Sequence, residues 1–202
     1  PYKVAGEQFP DQKTYETYNN GRFTNIEDWR RNNVNELVKD LNTAIKQEKS
    51  YVKFGISPFG VWRNIADDPT GSNTTAGQRN YDDLYADTRE WIQKGYIDYI
   101  TPQIYWNIGF TPAAYDILVD WWVKETNNKP IHLYIGQAAY KINNNSVPAW
   151  SDPEEYPRQI ALNRLYPEIK GSMHFSLKDI NNNPLGVKDR LSKDIYKYPA
   201  LI

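Results

Sequence analysis

The sequence predicts an α/β fold of the (β/α)8 TIM-barrel type, present here as about four β/α units, the second half of a barrel. Strand-like and helix-like segments alternate four times along the 202 residues. Strict alternation makes the strands parallel and covers their sheet with helices. A closed barrel needs eight strands and about 250 residues, so four units make half of one. An open doubly wound sheet fits the same alternation. Residues 1–202 read as a single partial domain.

Residues 1–23 are polar and turn-rich, with Pro1, Gly6, Pro10 and Gly21, and read as a long loop following a strand that is absent. Thr24-Asn25-Ile26-Glu27 fits a capping box, the mark of a helix start. Val34, Leu37, Val38, Leu41, Ala44 and Ile45 then recur at helical spacing to about Lys49. Residues 52–56 read as the first strand, and 64–80 as a long loop rich in Asp, Gly, Ser, Thr and Asn. Tyr81, Leu84, Tyr85, Thr88, Trp91 and Ile92 share a helical face that ends at Gly95.

The second strand spans 97–105, with Pro102 where no ladder donor is needed. Thr111-Pro112 reads as an N-cap and first helical position, with Tyr115, Leu118, Val119, Trp122 and Val123 behind it. Residues 131–135 form the third strand, ending in Gly136-Gln137. Pro157 opens a helix carrying Ile160, Ala161 and Leu165. Residues 171–176 form the fourth strand, and a last helix from about Gly186 carries Val187, Leu191 and Ile195.

Several function classes are disfavoured. Net charge is -1 with both signs mixed along the chain, so no basic stripe points to nucleic acid. Cysteine is absent, which removes disulfides and thiolate metal sites. His132 and His174 lie inside strands without an acidic cluster and make a weak metal site; no metal and no cofactor is expected. No apolar run is long enough for a membrane span. No glycine-rich phosphate loop or Gly-x-Ser-x-Gly elbow is present.

In either fold the chemistry sits at the C-terminal strand ends. Those positions hold Phe59, Trp62, Arg63 and Asn64 after the first strand, and Gln103, Tyr105 and Trp106 after the second. Gln137 and Tyr140 follow the third, and Ser176 the fourth. Planar rings that stack on sugar C–H faces, with amides and hydroxyls for vicinal hydroxyl groups, suit oligo- or polysaccharide binding. The chain's 7 Trp, 16 Tyr and 6 Phe fit that reading, although most such rings belong to cores.

Glycoside cleavage needs a pair of carboxylates facing the bond. None follows the first three strands closely, while Asp98 opens its strand and lies at the other end. Glu7 and Asp11, in the first loop, are the candidate catalytic carboxylates. A complete acid pair is not visible, which implies a missing catalytic strand or a non-enzymatic role.

Three segments are similar to a known family: Phe54-Gly55-Ile56-Ser57-Pro58-Phe59-Gly60-Val61-Trp62-Arg63, Asp98-Tyr99-Ile100-Thr101-Pro102-Gln103-Ile104-Tyr105-Trp106, and Asp28-Trp29-Arg30-Arg31. They resemble the bacterial glycosyl-hydrolase-like family 10, over essentially the whole chain. The resemblance implies a (β/α)8 barrel in an exported or lipid-anchored cell-envelope protein, extracellular or in the envelope. It implies glycoside hydrolysis, with peptide-free glycan strands of peptidoglycan as substrate. The family's Asp-Asp-Tyr type motif, which ends its fourth strand, is expected just before Pro1-Tyr2-Lys3, and this chain lacks it.

Two rival readings stand beside the hydrolase: a glycan-binding module without turnover, and an isolated half-domain with no activity of its own. A half-barrel exposes two parallel-strand edges and an apolar inner face, so a homodimer through those edges is expected.

Overall fold

The computed structural model describes residues 9–198. Four parallel strands form one sheet in the order β1-β2-β3-β4. They are β1 (Gly55–Ile56), β2 (Tyr99–Ile100), β3 (His132–Gln137) and β4 (Ile169–His174). Neighbours in the sheet are neighbours in sequence, with no reversal of strand order. A doubly wound sheet would change direction at a switch point, so this order is compatible with a partial α/β barrel.

The predicted alternation is present, with differences at the helix ends. A helix α1 (Gln12–Tyr18) lies inside the stretch expected to be loop. It is held from outside itself, because Tyr15 donates from its hydroxyl to the Phe23 carbonyl and sets its ring edge-on to Trp29. Helix α2 (Ile26–Glu48) begins as expected, but its cap is Asn25, whose side chain accepts from the Asp28 backbone N–H at 2.8 Å. The single helix expected over 81–92 is split into α3 (Asn80–Asp83) and α4 (Thr88–Lys94). The break falls at Tyr85, whose φ of 52° no helix accommodates. Gly95 closes α4 in the left-handed conformation, as predicted.

Helix α5 runs Tyr115–Thr126, so Thr111-Pro112 lies in the turn before it and does not open it. There the Ala113 N–H bonds the Phe110 carbonyl, and the Tyr115 N–H bonds Asn107. Helix α6 spans Glu155–Asn163. After β4 comes α7 (Leu177–Asn181), which the sequence reading left out, then α8 (Val187–Arg190), continued by a wider turn over Leu191–Ile195.

The two faces of the sheet differ. Ile100, Leu133 and Ile135 are fully buried beneath a layer that includes Trp91, Leu118, Val119 and Trp122 from α4 and α5. A second cluster, with Trp150, Tyr156, Ile160, Val187 and Leu191, fills the space under α6 and α8. The opposite face carries Gly55, Tyr99 and Tyr134, with Phe59, Gln103, Gly136 and Met173 toward the strand tips. Partners across parallel strands point to the same side. Met173 is exposed on this face, which in a barrel would be the interior. Among the described residues no helix is long and apolar enough to cross a membrane.

Candidate functional site

Three rings from three consecutive strand tips converge on one rim. Tyr105 follows β2, Tyr140 follows β3 and Phe175 follows β4. The Tyr105 and Phe175 rings are stacked at 6.1 Å, and Tyr140 stands edge-on to both, at 5.9 Å from Tyr105 and 6.0 Å from Phe175. A backbone bond from the Tyr140 N–H to the Phe175 carbonyl pins two of the loops together. Phe175 is 58% exposed, so its ring is presented to solvent at the rim. Partial burial pushes the Tyr105 and Tyr140 phenols above the usual tyrosine range, so both stay protonated donors at neutral pH.

Gln103 stands at the β2 tip, two residues before Tyr105. Its Nε2 donates to the Ser57 carbonyl at 2.9 Å, while no described residue donates to its Oε1. That oxygen is free to accept from a ligand hydroxyl. Phe59 meets Trp106 edge-on at 5.4 Å above the β1 and β2 tips. Gly60 makes this approach possible, since a Cβ there would lie 2.6 Å from the Gln103 carbonyl oxygen and 2.9 Å from the Trp106 ring.

The family model described as glycosyl hydrolase-like 10 matches residues 1–152.

The chain belongs to the glycosyl hydrolase-like 10 family.

It is 71% identical over 202 residues to the glycosyl hydrolase YngK of Bacillus subtilis (strain 168), covering all of this chain and 40% of that protein. It is 42% identical over 184 residues to the glycosyl hydrolase DigH of Escherichia coli (strain K12), covering 89% of this chain and 41% of that one. The chain thus spans about two-fifths of the length of these relatives. β4 and Phe175 lie beyond the matched residues.

Of the residues the sequence singled out, Phe59, Gln103, Tyr105, Trp106 and Tyr140 stand at the rim. Others are engaged elsewhere. Gln137 is fully buried, its Nε2 donating to Gln159 on α6 at 3.3 Å and its Oε1 left without a partner. Trp62 is buried, stacked on Trp121 at 5.9 Å with the Arg89 guanidinium 4.6 Å above it. Arg63 binds Asp82 at 2.9 Å and Asp68 at 3.2 Å. The Asn64 side chain accepts from Thr74 and from the Ala76 backbone N–H, organising the long loop after β1. Ser176 and Asp179 form a reciprocal capping box at the start of α7.

The carboxylates are engaged as well. Asp11 accepts two hydrogen bonds from Arg30, one of them 2.8 Å, and this pairing holds its carboxyl below the usual range. Glu7 lies outside the described residues. Asp98 bonds Lys46 and the Phe54 N–H at the far ends of the strands. Glu155 is buried and accepts from the Ile108 N–H and from Gln159. Among the described residues no three His, Asp or Glu side chains gather as metal ligands.

Two cavities lie away from the rim. One of about 470 Å³ sits on the helix side of β4, lined by Asn163, Arg164, Ser172 and Tyr196. Another, of about 520 Å³, opens beside Trp62, Arg63, Arg89 and Lys94. Neither is lined by the aromatic trio.

Sequence reasoning missed Phe175 and Lys141. Phe175 carried a signal: Gly171, Met173 and Phe175 alternate on the exposed side of β4, so the residue ending that series faces the rim. Lys141 carried none, because its place depends on the turn after β3.

Proposed function

We propose that the chain supplies the sugar-contacting half of a glycoside hydrolase acting on a bacterial cell-envelope polysaccharide, with peptide-free glycan strands of peptidoglycan as substrate. The observation that carries this reading is the ring platform of Tyr105, Tyr140 and Phe175 at three adjacent strand tips. Rings of this kind cover the C–H face of a pyranose, and Gln103 Oε1, two residues before Tyr105 in sequence, offers an acceptor. The protein works outside the cytoplasm, where such a substrate is found.

Cleavage needs a proton donor and a second carboxylate as base or nucleophile. Asp11, ionised by Arg30, suits only the second task, and both its oxygens are already engaged. The donor comes from Glu7 or from the part of the whole protein that this chain does not span. Glycoside hydrolysis of this kind requires no cofactor.

A second reading is a glycan-binding module without turnover. It is favoured by the engagement of Asp11, Asp98, Glu155 and Asp179 in internal contacts. The test is to mix the chain with peptide-free glycan strands, follow binding by calorimetry and look for shortened strands by mass spectrometry. Binding with shortening supports hydrolysis. Binding without it supports the module. No binding by the chain sinks both, as does binding by Tyr105→Ala as tight as the parent's.

A further inference from the structure

We propose that Lys141 reads charge at the rim: its ammonium receives a carboxylate carried by the sugar, which in peptide-free peptidoglycan is the free lactyl group. The inference rests on the glycan reading above and adds the residue that selects within that class.

Lys141 closes the short turn Ala139–Lys141 after β3. Its Nζ donates to the Tyr105 carbonyl at 2.6 Å and lies 5.9 Å from the Tyr140 ring centroid and 5.8 Å from that of Trp150. The cation therefore stands beside one ring of the platform, that of Tyr140, and against the backbone of a second member, Tyr105. An ammonium has three donors, and the Tyr105 carbonyl uses one. Among the described residues no carboxylate pairs with it. Other half-buried cations are all paired: Arg30 with Asp11, Lys46 with Asp98, Arg63 with Asp82, Arg79 with Asp83 and Arg89 with Glu125.

Tying the β3 loop to the β2 loop requires a hydrogen-bond donor, which a neutral amide would supply. A charge in the same place is costly, because partial burial strips its water and only the Tyr105 carbonyl and the Tyr140 and Trp150 rings offset it, with no opposite charge among the described residues. Burial accordingly pulls the Lys141 ammonium below the usual lysine range. An arriving carboxylate removes that cost and gains a charge-assisted hydrogen bond from a free donor. When a peptide is attached, the lactyl carboxylate becomes an amide and its charge disappears. Lys141 thus separates stripped strands from peptide-bearing ones.

The test compares peptide-free glycan strands with the same strands after their carboxyl groups are reduced to alcohols. The chain is expected to bind the carboxylate form about tenfold more tightly, the scale of one hydrogen bond to a charged group. Lys141→Met should bind both forms as the parent chain binds the reduced form, and Lys141→Arg should keep the preference. Retained preference in Lys141→Met overturns the proposal, as does equal weakening of both forms in both variants. Equal binding of the two forms by the parent chain overturns it while leaving the glycan reading intact. Binding of neither form removes the glycan reading and this inference together.

Discussion

Tyr105 and Phe175 stack with their ring planes 18° apart, although the strands they leave, β2 and β4, are separated by β3. Tyr140 stands to one side of the pair, about equally far from both, and meets each edge-on. Each loop thereby positions its neighbour, and the exposed ring of Phe175 costs little to hold. Phe175→Ala should leave the melting temperature within about 2 °C, because surface truncations away from the core are near neutral. It should weaken glycan binding by about 1 kcal/mol, the scale of one ring contact. Calorimetric titration beside thermal unfolding separates the two effects. Lost stability with unchanged binding would place the ring in the fold and not in the site.

Asp11 and Arg30 give a second prediction. Arg30 also donates to the Tyr85 hydroxyl and lies over the Tyr85 and Phe9 rings, so its charge is largely enclosed. Asp11→Asn leaves that charge unpaired and should cost about 2 kcal/mol at pH 7. The pairing lowers the folded-state pKa of Asp11. Its contribution is complete above the unfolded carboxyl value of about 3.9 and is lost as pH falls through the folded one. Denaturant unfolding at pH 7 and pH 2.5 should therefore differ less for the variant than for the parent chain. If Asp11→Asn instead keeps full stability and abolishes glycan cleavage by the whole protein, Asp11 is a catalytic group.

What the sequence revealed and what it hid divide along one physical line. Alternation of periodic segments depends on which residues are apolar, and that set the four parallel β/α units. The direction of a single side chain at a strand tip depends on register. Gln137 was expected at the rim, yet it pairs in register with His174 on the helix side and is sealed against Gln159. Phe175, one position on from His174, points the other way and joins the trio. A shift of one residue exchanges the faces, and the signal in β3 was the alternation of Leu133 and Ile135 with Gln137, which puts all three on the helix side. Trp62, Arg63 and Asn64 were misplaced for another reason. The loop after β1 folds on its own polar side chains, and the ion pairs that hold it link residues up to 19 positions apart.

His174 yields a pH prediction. Its Nδ1 lies 2.6 Å from the Tyr156 hydroxyl and its Nε2 3.4 Å from that of Tyr196, and burial lowers its pKa. The unfolded chain then binds the proton more readily than the folded one. Stability is complete above the unfolded value of about 6.5 and falls as pH drops below it, by at most about 1.4 kcal/mol per pH unit. Chemical unfolding between pH 7.5 and 5 should show this slope in the parent chain and a flatter one in His174→Gln. Identical slopes would mean that other groups set the acid sensitivity.

The sheet ends in two strands whose outer edges pair with no described residue, β1 and β4. Met173 lies exposed on the face opposite the helices, next to the exposed Phe175. On α2, Leu37 and Leu41 form an exposed stripe one turn apart. Unpaired parallel edges beside apolar side chains favour pairing with another copy, since both the backbone groups and the apolar surface gain from it. The isolated chain should therefore self-associate, its weight-average mass in sedimentation equilibrium rising with concentration toward a dimer. Met173→Lys places a charge on the exposed sheet face and should shift that equilibrium toward monomer by about tenfold or more, while leaving the melting temperature of the monomer unchanged, because the side chain is not part of the core. A chain that stays monomeric at millimolar concentration would show that its edges are already protected.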